Sequence, residues 1–467
     1  MNDKMYISQI TIQNYRLFPA DKAFKIDGIN VPDDAKEGSG LNVFVGENAS
    51  GKTSLLEAFA LPLLEFKSEG FSVEDMHDPK EKVEIKVLSE KDFEVAGTMP
   101  NGSFKAKGFE FKASKRAKDN KTYLSSMIVT DQLFIKVDPL KPKDGSPDLR
   151  VSVNNPFKGK RFSENDVILL DRNRLYQTRS GSFNTTRFDR LMEDFSHQYV
   201  KNTENISNLN TDLDAKIKKD KVENTFLEEA IKKFKEISDT QIHLDFIDNH
   251  RPFKAAYFVK VKDNNQQIPI NNLGSGYEMI FALLYSYYMA KQSGKQLIVL
   301  IDEPELHLHP ALQEKFVKFL LEISKDAQVF LTTHSPLLIK QLAFNDEVRT
   351  LILKEGQNVS VLPDRKLSYV SANETNFLAF NLATEEYHNE LFEELKYING
   401  ATKPIKNFDN DFFVSTKGEP KISPWMANPN EVSVHTFIRN QIHHQKDNGK
   451  TAYSDLKASI EKMRSFF

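Results

Sequence analysis

The feature that most constrains the fold is a glycine-containing loop between an apolar run and a helix-forming run. Residues 41–45 are mostly apolar and suit a buried strand, and residues 53–59 suit a helix. The loop and the turn after it read Gly46, Glu47, Asn48, Ala49, Ser50, Gly51, Lys52, Thr53 and Ser54. Such a loop points backbone N–H groups at phosphate oxygens, and the helix N-terminus adds its positive dipole end. We therefore predict an ATP-binding P-loop, in which Lys52 reaches the outer phosphates and Thr53 coordinates Mg²⁺.

A second apolar run, residues 297–301, ends in two adjacent carboxylates, Asp302 and Glu303. A run of this kind favours a parallel strand buried on both faces, whose carboxyl end delivers charge to a ligand site. We expect Asp302 to hold Mg²⁺, directly or through water. Glu303 is expected to orient and deprotonate the attacking water.

A third run, residues 328–333, favours the next strand and is followed by His334. A lone histidine at a strand end is usually structural. Its order after Glu303 and its spacing from that residue instead favour a contact to the γ-phosphate of ATP. We therefore predict Glu303 and His334 as the catalytic residues.

These motifs resemble those of the ABC-type ATPases that include the SMC and RecF proteins and the OLD-like ATPases of bacterial antiphage systems. The resemblance covers residues 5–365 and is most specific in the P-loop and in the runs at 302–310 and 332–336. It implies an α/β fold, a two-lobed ABC ATPase head with a central sheet and an antiparallel β lobe. It also implies ATP and Mg²⁺ as cofactors.

A shorter run, residues 273–276, stands where that family has its signature loop, Leu-Ser-x-Gly-Glu/Gln. In the family this loop contacts the nucleotide bound by the opposite subunit, which implies a homodimer or higher homo-oligomer with shared ATP sites. The nucleotide-contacting residues here are expected to be Gly274, Ser275 and Gly276. Gly274 replaces the usual serine and Tyr277 the usual Glu or Gln, so Ser275 is expected to supply the hydroxyl.

Tyr15 and Arg16 follow a run at residues 6–12 that alternates as an edge-type strand. The family resemblance implies an aromatic–arginine pair near the nucleotide, with Tyr15 against the base and Arg16 against a phosphate. A packing pair at the end of the strand explains the same residues, and both interpretations stay open.

Composition limits the alternatives. The absence of cysteine excludes a disulfide framework and a cysteine zinc site. No run of about 18 apolar residues occurs, and the first residues lack a secretory signal, so we expect a cytoplasmic protein with no membrane contact. The net charge of −3 gives no global attraction to nucleic acid, so any contact with DNA must be local.

The patterns predict four segments. Residues 1–185 form an N-terminal ATPase lobe with antiparallel hairpins at 81–152 and a strand at 167–170, and residues 186–262 form a short helical insertion. Residues 263–365 form the C-terminal ATPase lobe. Residues 366–467 form a helical extension, with a helix capped by Thr384 and further helices at about 431–444 and 454–466.

The extension resembles the C-terminal region of stand-alone defence ATPases of the PtuA type, found in Septu and related retron systems. This resemblance implies a separately encoded effector nuclease docked by the C-terminal region and regulated in antiphage defence. A DNA-repair or recombination ATPase like RecF, which loads or clamps on DNA, is the main alternative.

Two histidine-containing motifs suggest functions other than ATP hydrolysis, namely RNA cleavage and metal binding. Arg439 and His444 match the Arg-x4-His pattern of HEPN ribonucleases, which would make the chain an ATPase-gated toxin, although docking or structural duty explains them as well. His307 and His309 are two apart after Glu305 and suggest a metal site. Their place directly after the second motif favours structural or interface duty.

Overall fold

The structure is a computed structural model. It describes residues 5–63, 71–96, 103–115, 122–129, 135–136, 167–170, 175–176, 185–186, 225–246, 255–260, 267–269, 275–292, 294, 296–343, 345–354, 358–360, 365–422, 431–444 and 449–467.

The described strands are β1 (Ile7–Gln13), β2 (Phe24–Ile26), β3 (Leu41–Val45), β4 (Val83–Ala96), β5 (Ser103–Lys115), β6 (Thr122–Val129), β7 (Ile135–Lys136), β8 (Val167–Leu170), β9 (Leu175–Tyr176), β10 (Thr185–Thr186), β11 (Gln241–Phe246), β12 (Ala255–Lys260), β13 (Gln267–Pro269), β14 (Leu297–Asp302), β15 (Ala327–Thr332), β16 (Arg349–Lys354), β17 (Asn358–Ser360), β18 (Lys421–Ile422) and β19 (Val432–Ser433).

The described α-helices are α1 (Lys52–Ala60), α2 (Thr225–Ser238), α3 (Ser275–Gln292), α4 (Pro310–Ile323), α5 (Pro336–Leu342), α6 (Ala372–Phe380), α7 (Glu385–Gly400), α8 (Ile405–Phe408), α9 (Val434–His443) and α10 (Tyr453–Arg464). Short 3-10 turns cover Val73–Asp75 and Pro304–Leu306, and a π-helical segment covers Asp409–Thr416. No described helix is both long and apolar enough to cross a membrane.

The described chain divides into two compact units. One comprises Met1–Leu338 and Glu347–Val359, and the other comprises Ile339–Asp346 and Ser360–Phe467. The predicted division into four segments at 185, 262 and 365 stays a prediction.

The first unit contains a six-stranded sheet in its described part, in the order β17-β16-β3-β15-β14-β8. Strand pairs β16–β3, β3–β15, β15–β14 and β14–β8 are parallel. Every residue of β3, β14 and β15 is buried, as the unbroken apolar runs predict. Helix α1 packs on this sheet through Phe59, whose ring centroid lies 4.4 Å from that of Phe330. These contacts fix the helix that follows the P-loop against the central strands.

A second sheet of the same unit is antiparallel in its described part, in the order β2-β1-β4-β5-β6-β7. It confirms the predicted hairpins within residues 81–152, as far as those residues are described. Gln328 in β15 is fully buried, accepts a hydrogen bond from Ile7 N at 2.8 Å and donates one to Ile7 O at 2.6 Å. This side chain ties the antiparallel sheet to the parallel one. The α/β fold predicted from the sequence, with one parallel and one antiparallel sheet plus helices, is confirmed.

The insertion is partly helical and partly strand in its described residues. Residues 186–262 were predicted to form a helical insertion, but α2 ends at Ser238, and β11 then pairs with β12 in an antiparallel sheet. Asp239 adopts φ 55° and ends the helix in the left-handed region. The alternation of Gln241–Phe246 and the aromatic and β-branched content of its partner strand favour pairing over further helix.

The second unit is mainly helical in its described part and has its own core, to which α7, α9 and α10 contribute buried Leu391, Ile438 and Ile460. Thr384 caps α7 as predicted, because its Oγ1 accepts a hydrogen bond from Tyr387 N at 3.1 Å. Helix α9 begins three residues later than predicted, at Val434, because Val432–Ser433 forms a short strand and Ser433 caps the helix.

Candidate active site

Three of the predicted motifs meet at one edge of the parallel sheet. Strand β15 lies between β3 and β14, and all three run in the same direction. Their carboxyl ends therefore carry the P-loop, the Thr332–Thr333–His334 run and the Asp302–Glu303 pair side by side. This is the edge where parallel sheets place their ligands.

The P-loop turns into α1 through residues in left-handed conformations. Gly51 precedes the helix with φ 97°, a value that a residue with a Cβ rarely adopts, and Ala49 has φ 62°. The helix begins at Lys52, and in the described chain no side chain caps it. An uncapped helix N-terminus with its backbone amides in a loop suits an anion such as a phosphate.

The Lys52 ammonium lies inside the loop that it follows. Its Nζ donates to Gly46 O at 3.0 Å, Glu47 O at 2.8 Å and Ser50 Oγ at 3.2 Å. Burial lowers the pKa of Lys52 to about 8, although the nearby carboxylates Glu303, Asp302 and Glu305 act in the opposite direction. A weakly solvated ammonium held by neutral oxygens is ready to exchange them for phosphate oxygens.

Thr53 and Asp302 meet as the sequence predicts for a shared cation. Thr53 Oγ1 donates to Asp302 Oδ2 at 2.9 Å, and Thr332 Oγ1 donates to Asp302 Oδ1 at 2.5 Å. Burial raises the pKa of Asp302, against the lowering effect of these two hydroxyls. A buried carboxylate that accepts hydrogen bonds from two neutral hydroxyls is stabilised further by a nearby cation.

These donors fit Mg²⁺. The ion prefers oxygen ligands, keeps several waters and is usually held by one or two protein groups plus substrate phosphates. A hydroxyl and a carboxylate at the base of a phosphate loop form such a donor set. Groups of three or more His, Cys, Asp or Glu side chains that could hold a metal are absent from the described residues, so His307 and His309 form no such site there.

Glu303 and His334 are brought together. His334 Nε2 lies 3.2 Å from Glu303 Oε1, and the Glu303 side chain is 8 % exposed while that of His334 is 28 % exposed. Glu303 itself adopts φ 44° and ψ 60°, so the chain leaves β14 in a sharp turn. Its N–H donates to Thr332 O at 3.1 Å, which fixes the turn to the neighbouring strand. A carboxylate at the end of a strand, beside an imidazole, can accept a proton from water.

Sequence reasoning missed Glu305 and Thr332. Glu305 Oε1 accepts hydrogen bonds from His334 N at 2.6 Å and Thr333 Oγ1 at 2.9 Å. Burial raises the pKa of Glu305, and these two donors oppose the shift. The only signal in the sequence was a second acidic residue two positions after Glu303. That signal does not distinguish a solvent-exposed carboxylate from one that contacts the next strand.

Arg16 pairs with one carboxylate in α1 and with another in the 3-10 turn Val73–Asp75. Its Nη1 lies 2.8 Å from Glu57 Oε2 and its Nε lies 2.9 Å from Asp75 Oδ1. Tyr15 is buried, and the Arg16 guanidinium carbon lies 5.2 Å from the centre of its ring. These contacts agree with a packing pair next to α1, and a contact from Arg16 to nucleotide stays a prediction.

The signature segment is described only from Ser275 onward. Gly274 lies outside the described residues, and Ser275 begins α3 without a described side chain. Gly276 packs directly on the turn after Glu303, because a Cβ at this position would lie 2.3 Å from His307 O. Only glycine fits so close to that carbonyl.

The remaining candidates, His309, Arg439 and His444, lie in α4 and α9 or directly beside them. His309 precedes α4 and accepts a hydrogen bond from Ala311 N at 3.4 Å, so it caps a helix. Arg439 Nη2 lies 3.9 Å from Glu393 Oε1 in the second unit, and its Nη1 lies 3.4 Å from Asn440 Oδ1. His444 is exposed at the end of α9. A catalytic role and a docking role for Arg439 and His444 both stay predictions.

Comparisons with known proteins identify a family and several relatives for this chain. The AAA_21 family, described as "AAA domain, putative AbiEii toxin, Type IV TA system", matches residues 41–340. The Septu protein PtuA of Bacillus thuringiensis is 25% identical over 182 residues, which cover 35% of this chain and 44% of PtuA. Endonuclease GajA of Bacillus cereus (strain VD045) is 25% identical over 357 residues, which cover 72% of this chain and 57% of GajA. The chain therefore matches about half the length of these two relatives.

A solved structure of an SMC head bound to the C-terminal winged-helix domain of ScpA aligns with a TM-score of 0.44 and 15% identity, over 76% of this chain and 97% of that chain. The family match spans more than half of the 467 residues of this chain. The protein belongs to the AAA_21 family.

Proposed function

We propose that this protein binds and hydrolyses Mg-ATP at the edge of its parallel sheet. The observation that carries the proposal is the meeting of Thr53 with Asp302, next to Glu303 and His334 at 3.2 Å. In this proposal Lys52 exchanges its loop oxygens for phosphate oxygens, and Thr53 and Asp302 hold the Mg²⁺ ion. A Mg²⁺ ion held by these two residues would neutralise charge that develops on the phosphates during phosphoryl transfer.

Glu303 is the proposed general base. Its carboxylate lies at the end of β14, orients the attacking water and accepts its proton. His334 is proposed to contact the γ-phosphate while its ring stays next to Glu303, so that base and phosphate are held in one geometry. The P-loop residues from Gly46 to Ser54 supply the backbone donors, and Arg16 is a further proposed contact.

We further propose that two or more copies assemble through shared ATP sites, with Gly274, Ser275 and Gly276 of one copy facing the nucleotide of another. The resemblance to ABC-type ATPases supports this step. Its test is the dependence of turnover on protein concentration. Specific activity that rises with concentration and then saturates, in parallel with the assembled mass, is expected. The proposal of shared sites would be contradicted if the protein stayed monomeric with ATP and its specific activity did not change with concentration.

The C-terminal unit is proposed to dock a separately encoded effector nuclease, which the cytoplasmic ATPase regulates in antiphage defence. The family resemblance and a separate core in this unit support the proposal. Tyr397 and Ile398 lie exposed at the end of α7, at 74% and 59%. Exposed aromatic and aliphatic side chains of this kind are frequent in interfaces between proteins.

Purification of the native operon products, followed by mass determination of the complex, tests the effector. A mixed complex with a nuclease is expected, and replacing Tyr397 and Ile398 with serine should release it while ATP turnover survives. Tyr123→Ser is the matched control, because Tyr123 is exposed at 39% in the antiparallel sheet of the other unit. Recovery of this chain from the intact operon only as a homo-oligomer, without a nuclease, would contradict the proposed effector.

A further inference from the structure

The turn that follows Glu303 contacts the loop of His334 twice. Glu303 approaches the His334 ring at 3.2 Å, and Glu305 accepts a hydrogen bond from the His334 backbone N–H at 2.6 Å. Between them lies Pro304, which begins the 3-10 turn Pro304–Leu306. The left-handed conformation of Glu303 directs the chain so that both carboxylates face the end of β15.

Glu305 organises three consecutive residues rather than one. Its Oε1 accepts from His334 N and from Thr333 Oγ1 at 2.9 Å, and Thr333 Oγ1 in turn accepts from Ser335 N at 2.9 Å. Hydrogen bonds to an ionised acceptor are stronger and shorter than neutral ones. The peptide on each side of His334 is therefore fixed to one carboxylate oxygen.

The burial of this carboxylate is costly. Glu305 Oε2 is buried and has no hydrogen-bond partner among the described residues. Removing a carboxylate from water without satisfying both oxygens costs free energy that a simple turn does not require. A turn that needed only shape would be more stable with an uncharged residue at this position.

We infer that Glu305 is a positioning residue, which holds the backbone of His334 so that its ring stays next to Glu303 and faces the γ-phosphate. The inference rests on the proposed roles of Glu303 and His334. In this role Glu305 does not contact the nucleotide. It acts through Oε1, which accepts the hydrogen bond from His334 N. Displacing a reacting group by about 1 Å can cost roughly 10²-fold in rate.

The test compares Glu305→Ala with Glu305→Gln. Glutamine keeps a carbonyl oxygen that accepts from His334 N and Thr333 Oγ1, whereas alanine removes the acceptor. We expect Glu305→Ala to lower kcat by about 10²-fold, with KM and the affinity for a non-hydrolysable ATP analogue unchanged. Glu305→Gln should recover most of the lost kcat. Glu314→Ala is the control, because Glu314 is exposed and pairs with Lys318 at 2.8 Å on the surface of α4.

Turnover at the wild-type rate in Glu305→Ala would overturn the inference, and so would equal losses in the alanine and glutamine variants. If Glu305→Ala also lowers the melting temperature, the same hydrogen bond is tested from its donor side. Thr333→Val removes the hydroxyl that donates to Glu305, and Thr333→Ser keeps it. Valine should lower kcat and serine should restore it, and equal turnover in the two overturns the inference. Glu303→Gln distinguishes failure of the inference about Glu305 from failure of the proposed function. Wild-type turnover in Glu303→Gln would contradict the proposed function itself.

Discussion

At the residue scale, the most informative group is Lys52, an ammonium buried among loop carbonyls. Its pKa of about 8 lies below the ordinary value of 10.5 because burial disfavours the charged form. Phosphates bind the charged form, so nucleotide binding and protonation of Lys52 favour each other. In the nucleotide-free protein, the protonated form of Lys52 that binds phosphate is therefore lost as pH rises through about 8.

We expect the affinity for a non-hydrolysable ATP analogue to fall by about tenfold between pH 7 and pH 9, at constant free Mg²⁺. Below pH 7 the affinity should change little from this cause, because Lys52 is already charged. Titration calorimetry or a fluorescent nucleotide across this range checks the prediction. Constant affinity up to pH 9 would contradict a lowered pKa for Lys52.

Gly276 is the second residue with a testable geometry, because it packs on the turn that carries Glu303 and Glu305. Gly276→Ala should push His307 O away and displace the turn, lowering kcat by about 10- to 100-fold while ATP binding survives. Gly400→Ala in the second unit is the matched control, since its Cβ would meet side-chain atoms, Lys403 Cδ at 3.2 Å and Phe408 Cδ2 at 3.3 Å, and no backbone oxygen this close.

A mixture of Gly276→Ala with Lys52→Ala protein separates two roles for this glycine. If Gly276 acts only on nucleotide bound by the opposite chain, subunit exchange restores a fraction of the sites. The contact with His307 in the same chain predicts little recovery, because the intact P-loop of the Gly276→Ala chain still has a displaced Glu303. Substantial recovery would contradict this account.

At the element scale, three strand ends could be predicted from the sequence because each apolar run ends in a polar motif of known chemistry. The meeting of Thr53 with Asp302 and of Glu303 with His334 follows from parallel pairing. The contacts of Glu305 and Gly276 could not be predicted, since they depend on how the 3-10 turn folds back against β15 and α3. The continuation of the insertion as β11 was missed because its helix-like charge pattern hid a short alternating run.

The helices of the C-terminal unit enclose a chain of polar groups. His388 on α7 and His435 on α9 both contact Ser459 on α10, at 2.9 Å and 2.7 Å. Burial lowers the pKa of His388 to about 3, with a further effect of His435, and lowers that of His435 to about 4, with a further effect of Lys462. Glu419 Oε2 lies 3.7 Å from His435 Nε2.

Because both folded pKa values lie below the ordinary 6.5, the unfolded unit binds more protons than the folded unit between about pH 4 and 6.5. The unit is therefore most stable above pH 6.5 and loses stability as pH falls. We expect about 2 kcal/mol per histidine to be lost between pH 6.5 and pH 5. Urea unfolding of the wild type and of His388→Gln checks this, and the variant should show about half the pH dependence. An equal dependence in both, with His444→Gln as the control, would contradict the prediction.

At the scale of the whole molecule, the separate cores predict separate stabilities. Removing residues 431–467 would take Ile438, Ile460 and Met463 from the core of the second unit, where they are fully or almost fully buried. Such a truncation should unfold that unit rather than release a partner from an intact surface, so point changes are the sharper test of docking.

We expect the truncated protein to retain binding of an ATP analogue while limited proteolysis digests the remainder of the second unit. Tyr397→Ser is the control, because it changes an exposed side chain and leaves the core complete. Lost analogue binding in the truncated protein would contradict the independence of the two units.

The central claim is that Glu303 removes the proton from the water that attacks ATP bound by Lys52, Thr53 and Asp302. The most direct measurement is single-turnover hydrolysis of ATP by excess Glu303→Gln protein, with bound and cleaved nucleotide followed together. The account predicts that ATP stays bound with wild-type affinity and that cleavage slows by about 10²-fold or more. Cleavage at the wild-type rate would contradict it and assign the base to another group.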